Sequence, residues 1–94
     1  LACSTKVLFV NLGEAEQEAS MRLISMLRNN NIAAEIYPDS SKMKKQMEYA
    51  NRRGIPYVVI TGSNELERKV ATIKDMRLGQ QREVAFDDIV TALK

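Results

Sequence analysis

The sequence predicts an α/β domain built on a mainly parallel sheet, and three observations carry that reading. Short apolar runs rich in β-branched residues recur at Lys6–Leu12, Ala33–Tyr37 and Pro56–Ile60. Two longer segments with helical spacing separate them, Glu14–Asn30 and Lys42–Arg53. A pair of short strands around a glycine turn follows. Strands alternating with helices form βαβ units, whose crossovers place the helices on the faces of a parallel sheet.

Each element has a local cause. The run VLFVNL after Lys6 is continuously apolar and closes on Asn11 and Gly13, as a buried strand does. In the first helix Ala15, Ala19, Leu23, Met26 and Leu27 share one stripe. Glu14, Glu16 and Glu18 near its start and Arg22 and Arg28 later suit the helix dipole. Asn29-Asn30-Asn31 supplies the stop, because asparagine tolerates the left-handed conformation. The second strand ends at Pro38-Asp39. Ser40 or Ser41 is then placed to cap the second helix, and Gly54 to end it. Met43, Met47 and Ala50 form its expected buried stripe, with Lys44, Lys45, Glu48 and Arg52 on other faces. PYVVI is the third strand, closed by Thr61-Gly62. Val70–Lys74 and Arg82–Ala85 then pair as an antiparallel hairpin around Leu78-Gly79. Asp87 or Asp88 starts a last short helix, Ile89–Leu93. The predicted order is β-α-β-α-β-β-β-α.

Ninety-four residues form one domain spanning 1–94, with 45% apolar and 28% charged residues, the profile of a soluble globular protein. Positions 1–5 read as the remnant of an interdomain linker, and Leu1 in place of Met suggests a piece of something longer. No run approaches the roughly 20 apolar residues a membrane span requires, so no membrane is expected as a partner. Leu1-Ala2-Cys3-Ser4 resembles a lipoprotein cleavage box, but that signal works only behind an apolar run that is missing here. Cys3 is the only cysteine, so no internal disulfide forms and a reducing compartment is the easier fit.

Net charge is +2 but uneven. Residues 1–40 carry three basic and five acidic groups, residues 41–82 ten basic and four acidic, and the last twelve residues one basic and three acidic. The balances are therefore −2, +6 and −2. A basic middle is what a surface meeting phosphate shows, although a solvated helix face and a charged hairpin give the same pattern.

Catalytic chemistry finds no support. Without histidine there is neither a Ser-His-Asp triad nor an imidazole metal ligand. Asp87-Asp88 is the one adjacent carboxylate pair, and helix capping accounts for it. The loop Asn11-Leu12-Gly13-Glu14 has a single glycine, and Glu14 would repel a phosphate at the helix N-terminus. Binding remains. Ligands of parallel sheets meet the crevice beyond the C-terminal strand ends, here Asn11–Gly13 and Thr61–Glu65. Splayed RNA bases are read by stacking and by hydrogen bonds to their edges. Tyr49 and Tyr37 are the candidate stacking residues and Glu65 and Gln46 the candidate base readers. Lysines and arginines supply phosphate contacts.

The segment KMKKQMEYANRRGIPYVVITG, Lys42–Gly62, closely resembles the anticodon-binding domain shared by the histidyl, threonyl, prolyl and glycyl class II aminoacyl-tRNA synthetases. The shared features are a basic helix (Lys44-Lys45-Gln46), Gly54, the strand Pro56–Ile60, Gly62 and Glu65. The resemblance extends over essentially the whole chain. Lys44–Ala50 is similar to the histidyl LKKQ-x-x-YA pattern, and Val70–Met76 to the histidyl VTVKDL or VTIKNM segment. The threonyl branch has a more arginine-rich hairpin with a Gly-Gly turn. Gly54 also stands where that branch uses an arginine, so that contact does not carry over.

The resemblance implies a three-layer α/β/α domain with a five-stranded mixed sheet, order 2-1-3-4-5, one hairpin strand antiparallel. It implies a non-catalytic domain that grips the anticodon loop of tRNA(His). Glu65, Lys74, Gln46 and Tyr49 would meet anticodon bases, and Lys44, Lys45 and Arg52 the phosphates. The domain itself would hold no cofactor or metal. The parent enzyme, a cytoplasmic homodimer, would use ATP and Mg2+ in a separate catalytic domain of the same chain. Three other readings stay open: the equivalent domain of a threonyl, prolyl or glycyl enzyme, a related domain turned regulatory or protein-interaction module, and a flavodoxin-like small-molecule binder, which the acidic, glycine-poor first loop disfavours.

Overall fold

In the computed structural model, which describes residues 5–94, the sheet begins with β1 (Val7–Phe9), β2 (Ala34–Ile36) and β3 (Tyr57–Ile60) running parallel. Cys3 and, except for Thr5, the expected linker remnant lie outside the described residues. β4 (Val70–Asp75) and β5 (Gln80–Ala85) form the hairpin, and β4 pairs antiparallel with both β3 and β5. The order is β2-β1-β3-β4-β5, with β4 alone reversed, as the resemblance implied.

Period-two alternation sorts the strand residues onto two faces. Val7, Phe9, Val59, Ala71 and Ile73 pack against Leu23, Ile24 and Leu27 of α1 (Glu14–Asn29) and Ile89 and Leu93 of α4 (Ile89–Leu93). On the opposite face Leu8, Val10 and Val58 pack with Tyr37, Ile55 and Ala50 of α2 (Met43–Arg53). The three layers are therefore α1 with α4, the sheet, and α2. Asn31 at φ 63° and Gly54 at φ 71° take the left-handed conformation beyond α1 and α2, as the stop residues predicted.

Three local expectations are corrected. A short helix, α3 (Ser63–Arg68), lies between β3 and β4 where none was expected. Its sequence SNELER has one large apolar residue and hence no periodicity to read. Neither Ser40 nor Ser41 caps α2. Lys42 occupies the cap position without a side-chain bond, while the Ser41 hydroxyl donates to Asp39. Asp88 likewise begins α4 without a capping hydrogen bond. The buried stripe of α2 is Gln46 and Ala50, with Met47 half-buried and Met43 exposed.

Gln46 explains that rotation. Its Oε1 accepts from the Asn11 backbone N–H at 2.8 Å, and its Nε2 donates to the Asn11 and Ser41 carbonyls, each at 2.8 Å. Asn11 Nδ2 donates to the Tyr37 carbonyl at 3.0 Å, and Asn11 Oδ1 accepts from the Gly13 N–H at 3.0 Å. One buried amide thus joins α2 to the end of β1, and one asparagine joins β1 to β2. Gly13, at φ 121°, makes the turn into α1 that a side chain would resist.

α3 is fixed by polar contacts. The Arg68 guanidinium donates to both carboxylate oxygens of Glu83 on β5, each at 2.7 Å, a bidentate pair on a half-exposed surface. That pair holds the Glu83 carboxyl below its ordinary pKa and the Arg68 guanidinium above its own.

Gln46→Met leaves the Asn11 backbone groups and the Ser41 carbonyl without a partner inside the fold. Urea unfolding is expected to show a loss of about 2–4 kcal/mol. An unchanged midpoint would remove Gln46 from its bracing role. The Arg68–Glu83 clamp has a defined pH dependence. Because the folded-state pKa of Glu83 is lowered, its contribution is complete above the ordinary glutamate range and fades as pH falls through the lowered value. In Arg68→Ala, carbon-detected NMR titration should find Glu83 moved back up towards that range.

Candidate nucleic-acid interface

Two helices cover one face of the sheet, but α2 alone covers the central strands of the other. The outer halves of β4 and β5 on the α2 side therefore remain open, and alternation decides what they present. Val58 faces α2, so its cross-strand partner Lys74 and the next residue across, Gln81, project from the same side. Ile60 is opposite Thr72, and Thr72 is opposite Glu83. The polar strip on this side thus reads Thr72, which is buried, Lys74, which is half-buried, and the exposed Gln81 and Glu83. α2 borders it along one side, α3 closes one end and the hairpin turn closes the other.

Between α2 and the hairpin lies a shallow cleft of about 390 Å³ lined by Lys44, Met47, Glu48, Asn51, Lys74, Met76 and Gly79. Lys44, Met47, Glu48 and Asn51 follow the i, i+3, i+4, i+7 spacing of one helix face. Asp75 shapes the turn beside them. Its Oδ1 accepts from the Arg77 N–H at 2.9 Å and the Leu78 N–H at 3.1 Å, which holds its carboxyl below the ordinary range. The turn presents Leu78 at 67% exposure, a large apolar side chain in water.

Glu65 sits in the first turn of α3, half-buried, at the other end of the strip. The Thr72 hydroxyl donates to Glu65 Oε2 at 3.0 Å. Thr72 and Lys74 are alternate residues of β4, so their Cα atoms stand roughly 7 Å apart on one face. Glu65 and Lys74, nine residues apart in sequence, therefore address the same strip. Lys45 and Arg52, seven residues apart on α2, are exposed on its outer side. α2 carries four basic residues and one acidic, whereas α1, on the opposite face of the sheet, carries two basic and three acidic. The charge unevenness of the sequence thus becomes a difference between faces.

Gln46 and the tyrosines fall elsewhere. Gln46 is fully buried and its amide is spent on Asn11 and Ser41, so the base-reading role expected for it is corrected to a structural one. Tyr37 is buried and meets Tyr49 edge-on, with ring centroids 5.2 Å apart and planes at 80°. The Arg53 guanidinium lies 5.2 Å from the Tyr49 ring centroid and donates to its hydroxyl. Tyr37 packs there, whereas Lys44 and Asn51 line the hairpin cleft, so Tyr49 and the Lys74 strip lie on different flanks of α2. At the C-terminal strand ends Asn11 is engaged by Gln46 and Thr61 by Ser20, their hydroxyls 2.7 Å apart, while Leu12 is exposed and Gly62 and Glu65 are half-buried. Sequence reading missed Asn51, Thr72 and Gln81. Asn51 was accessible as the i+7 neighbour of Lys44. Thr72 and Gln81 required the strand register.

Among the described residues, no three or more of His, Cys, Asp and Glu stand together as a group able to hold a metal ion. No helix among them is long and apolar enough to cross a membrane.

Comparison with known proteins agrees with this architecture. A family model described as the anticodon binding domain matches residues 6–94. Histidine–tRNA ligase of Christiangramia forsetii is 50% identical over 91 residues, covering 97% of this chain and 20% of the relative. The Bacteroides fragilis ligase is 46% identical over 89 residues, covering 95% and 20%. The Pyrococcus furiosus ligase is 41% identical over 88 residues, covering 94% and 20%. The chain therefore spans about a fifth of the length of these curated relatives. Its fold superposes on the crystal structure of histidyl-tRNA synthetase from Nostoc sp. PCC 7120 with a TM-score of 0.92 at 24% identity, covering 96% of this chain and 22% of that one. Apo Staphylococcus aureus histidyl-tRNA synthetase gives 0.86 at 27% identity, covering 96% and 23%. The chain belongs to the anticodon binding domain family, in the form carried by histidine–tRNA ligases.

Proposed function

We propose that this domain grips the anticodon loop of tRNA(His) on the strip between α2 and the β4–β5 hairpin. The observation that carries the reading is the shared face of Glu65, Thr72 and Lys74, flanked by a helix with an excess of positive charge. A carboxylate accepts hydrogen bonds from base amino and imino groups, and an ammonium donates to base carbonyls and ring nitrogens. Glu65 and Lys74 are accordingly the base readers. Lys44, at the cleft, and Lys45 and Arg52, on the outer side of α2, attract the phosphates. Such contacts position the RNA without reading it. Gln46 and Tyr49 serve recognition only by holding α2 in place.

In this reading the domain works within a larger cytoplasmic ligase that is a homodimer. The ligase's separate catalytic domain binds ATP and Mg2+ and joins histidine to the tRNA. Those groups do not suit the present residues. The loop after β1 turns the Gly13 N–H onto Asn11, and α1 opens with Glu14 and Glu16, which repel phosphate. Recognition is the share of the work assigned to this domain.

The test is a titration of the 94-residue chain with an anticodon stem-loop carrying GUG and with one whose anticodon bases are changed. Tighter binding to GUG is expected, and Glu65→Ala should reduce the ratio between the two loops. Lys45→Ala should weaken both alike and lower the slope of log affinity against log salt by about 0.7, the single-strand value for one lost phosphate contact. Equal, salt-dominated affinity for both loops would leave only phosphate attraction and overturn base-specific recognition.

A further inference from the structure

The carboxylate of Glu65 is held on one side and given room on the other, by residues to which the binding reading assigns no contact with RNA. On one side the Thr72 hydroxyl donates to Glu65 Oε2 at 3.0 Å. Thr72 is buried on β4, where Ile60 and Glu83 flank it across the sheet, so its hydroxyl comes from a fixed strand. On the other side lies Gly62. A Cβ built there would stand 3.0 Å from Glu65 Oε1, 4.0 Å from its Cδ and 3.5 Å from Leu12 Cδ1. Gly62 has φ −75° and ψ −179°, a backbone conformation that any residue adopts. Space, not backbone freedom, is what glycine supplies at this position.

These two observations have one consequence. The helix alone leaves a glutamate side chain several rotamers, and ordering it on binding costs side-chain entropy. Thr72 selects one arrangement, and the bare Cα of Gly62 leaves room for it. One oxygen is engaged by the hydroxyl and the other lies over the glycine, beside the exposed side chain of Leu12. A reading group fixed before its ligand arrives discriminates better, because a small displacement of a hydrogen-bonding group is felt directly in the bond it makes.

We infer that Thr72 and Gly62 are positioning residues for base recognition: Thr72 orients the Glu65 carboxylate and Gly62 provides the space it occupies. This rests on the reading of Glu65 as a base reader. It adds that specificity is set by two residues, on β4 and on the turn after β3, that need not touch the RNA themselves.

The experiment measures the affinity ratio between the GUG stem-loop and its base-changed counterpart, with the salt slope, for Thr72→Val, Thr72→Ser, Gly62→Ala and Glu65→Gln. Thr72→Val preserves shape and removes the hydroxyl, and the ratio should fall by about tenfold or more, the worth of one hydrogen bond to a charged group. The salt slope should not change, since no phosphate contact is lost. Thr72→Ser keeps the donor and should restore most of the ratio. In Gly62→Ala the group that must yield is the far end of a flexible side chain. The urea midpoint should therefore stay close to that of the parent while the ratio falls. Urea unfolding of each variant separates loss of fold from loss of reading.

The outcomes are distinguishable. If Glu65→Gln leaves the ratio unchanged, Glu65 is not a base reader and the reading beneath the inference fails. If Glu65→Gln collapses the ratio but Thr72→Val and Gly62→Ala keep the parent value in folded protein, the positioning inference fails and the reader stands. Equal loss in Thr72→Ser and Thr72→Val would also overturn it, since the hydroxyl would then not be the active feature.

Discussion

The buried amide of Gln46 is the constraint on which the rest of this domain depends. Strands β1 and β2 are only three residues long, too short for their own ladders to fix how a helix lies across them. Gln46 supplies that fix by bonding both backbone groups of Asn11, and Asn11 passes it on to Tyr37 at the end of β2. A buried polar side chain is tolerated only when its hydrogen bonds are made, and these are made with fixed backbone groups. The bonds set the rotation of α2. With Gln46 and Ala50 turned inwards, Lys44, Glu48 and Asn51 face the hairpin and Lys45 and Arg52 face outwards.

From that rotation the interface follows almost by subtraction. Five strands make a sheet wider than one helix can cover, so part of the α2-side face stays in water. Its residues are polar for that reason, and they lie next to a helix whose charge is positive. Long-range attraction of a polyanion needs only the charge, because at physiological salt it acts over about 8 Å. Reading needs fixed groups. The strip offers both kinds, with mobile lysines on the helix and braced polar groups on β4 and α3. The acidic α1 lies on the opposite face of the sheet, where it does not compete.

The residues of the candidate site come from residue types and from the family motif, and the places where the structure puts them elsewhere have a common origin. Glu65 and Lys74 were placed by motif, and the structure brings them to one face through Thr72. Gln46 was misread because an amide beside two lysines on a basic helix looks like a reader. Nothing local marks it as the partner of Asn11, 35 residues away. Spacing alone puts Met43 and Met47 in the core; Met47 does pack against it half-buried, whereas Met43 is exposed because Gln46 takes the inward position. The missing α3 is the opposite case, a helix held by Thr72 and Glu83 rather than by its own pattern.

By itself the sequence determined the alternation of strands and helices, the stops at Asn31 and Gly54, the hairpin, the basic middle and, through its motif, the family. These are properties of periods, of backbone preference and of composition, and each is read along the chain without knowledge of which segments pair. The packed fold alone shows which side of α2 is buried, that Gln46 joins Asn11 at the strand ends, and that the Glu65 carboxylate accepts from Thr72 where Gly62 leaves it room. Those depend on cross-strand register and on hydrogen bonds between distant segments. A chain acquires them only when the sheet closes and each buried polar group must find its partner.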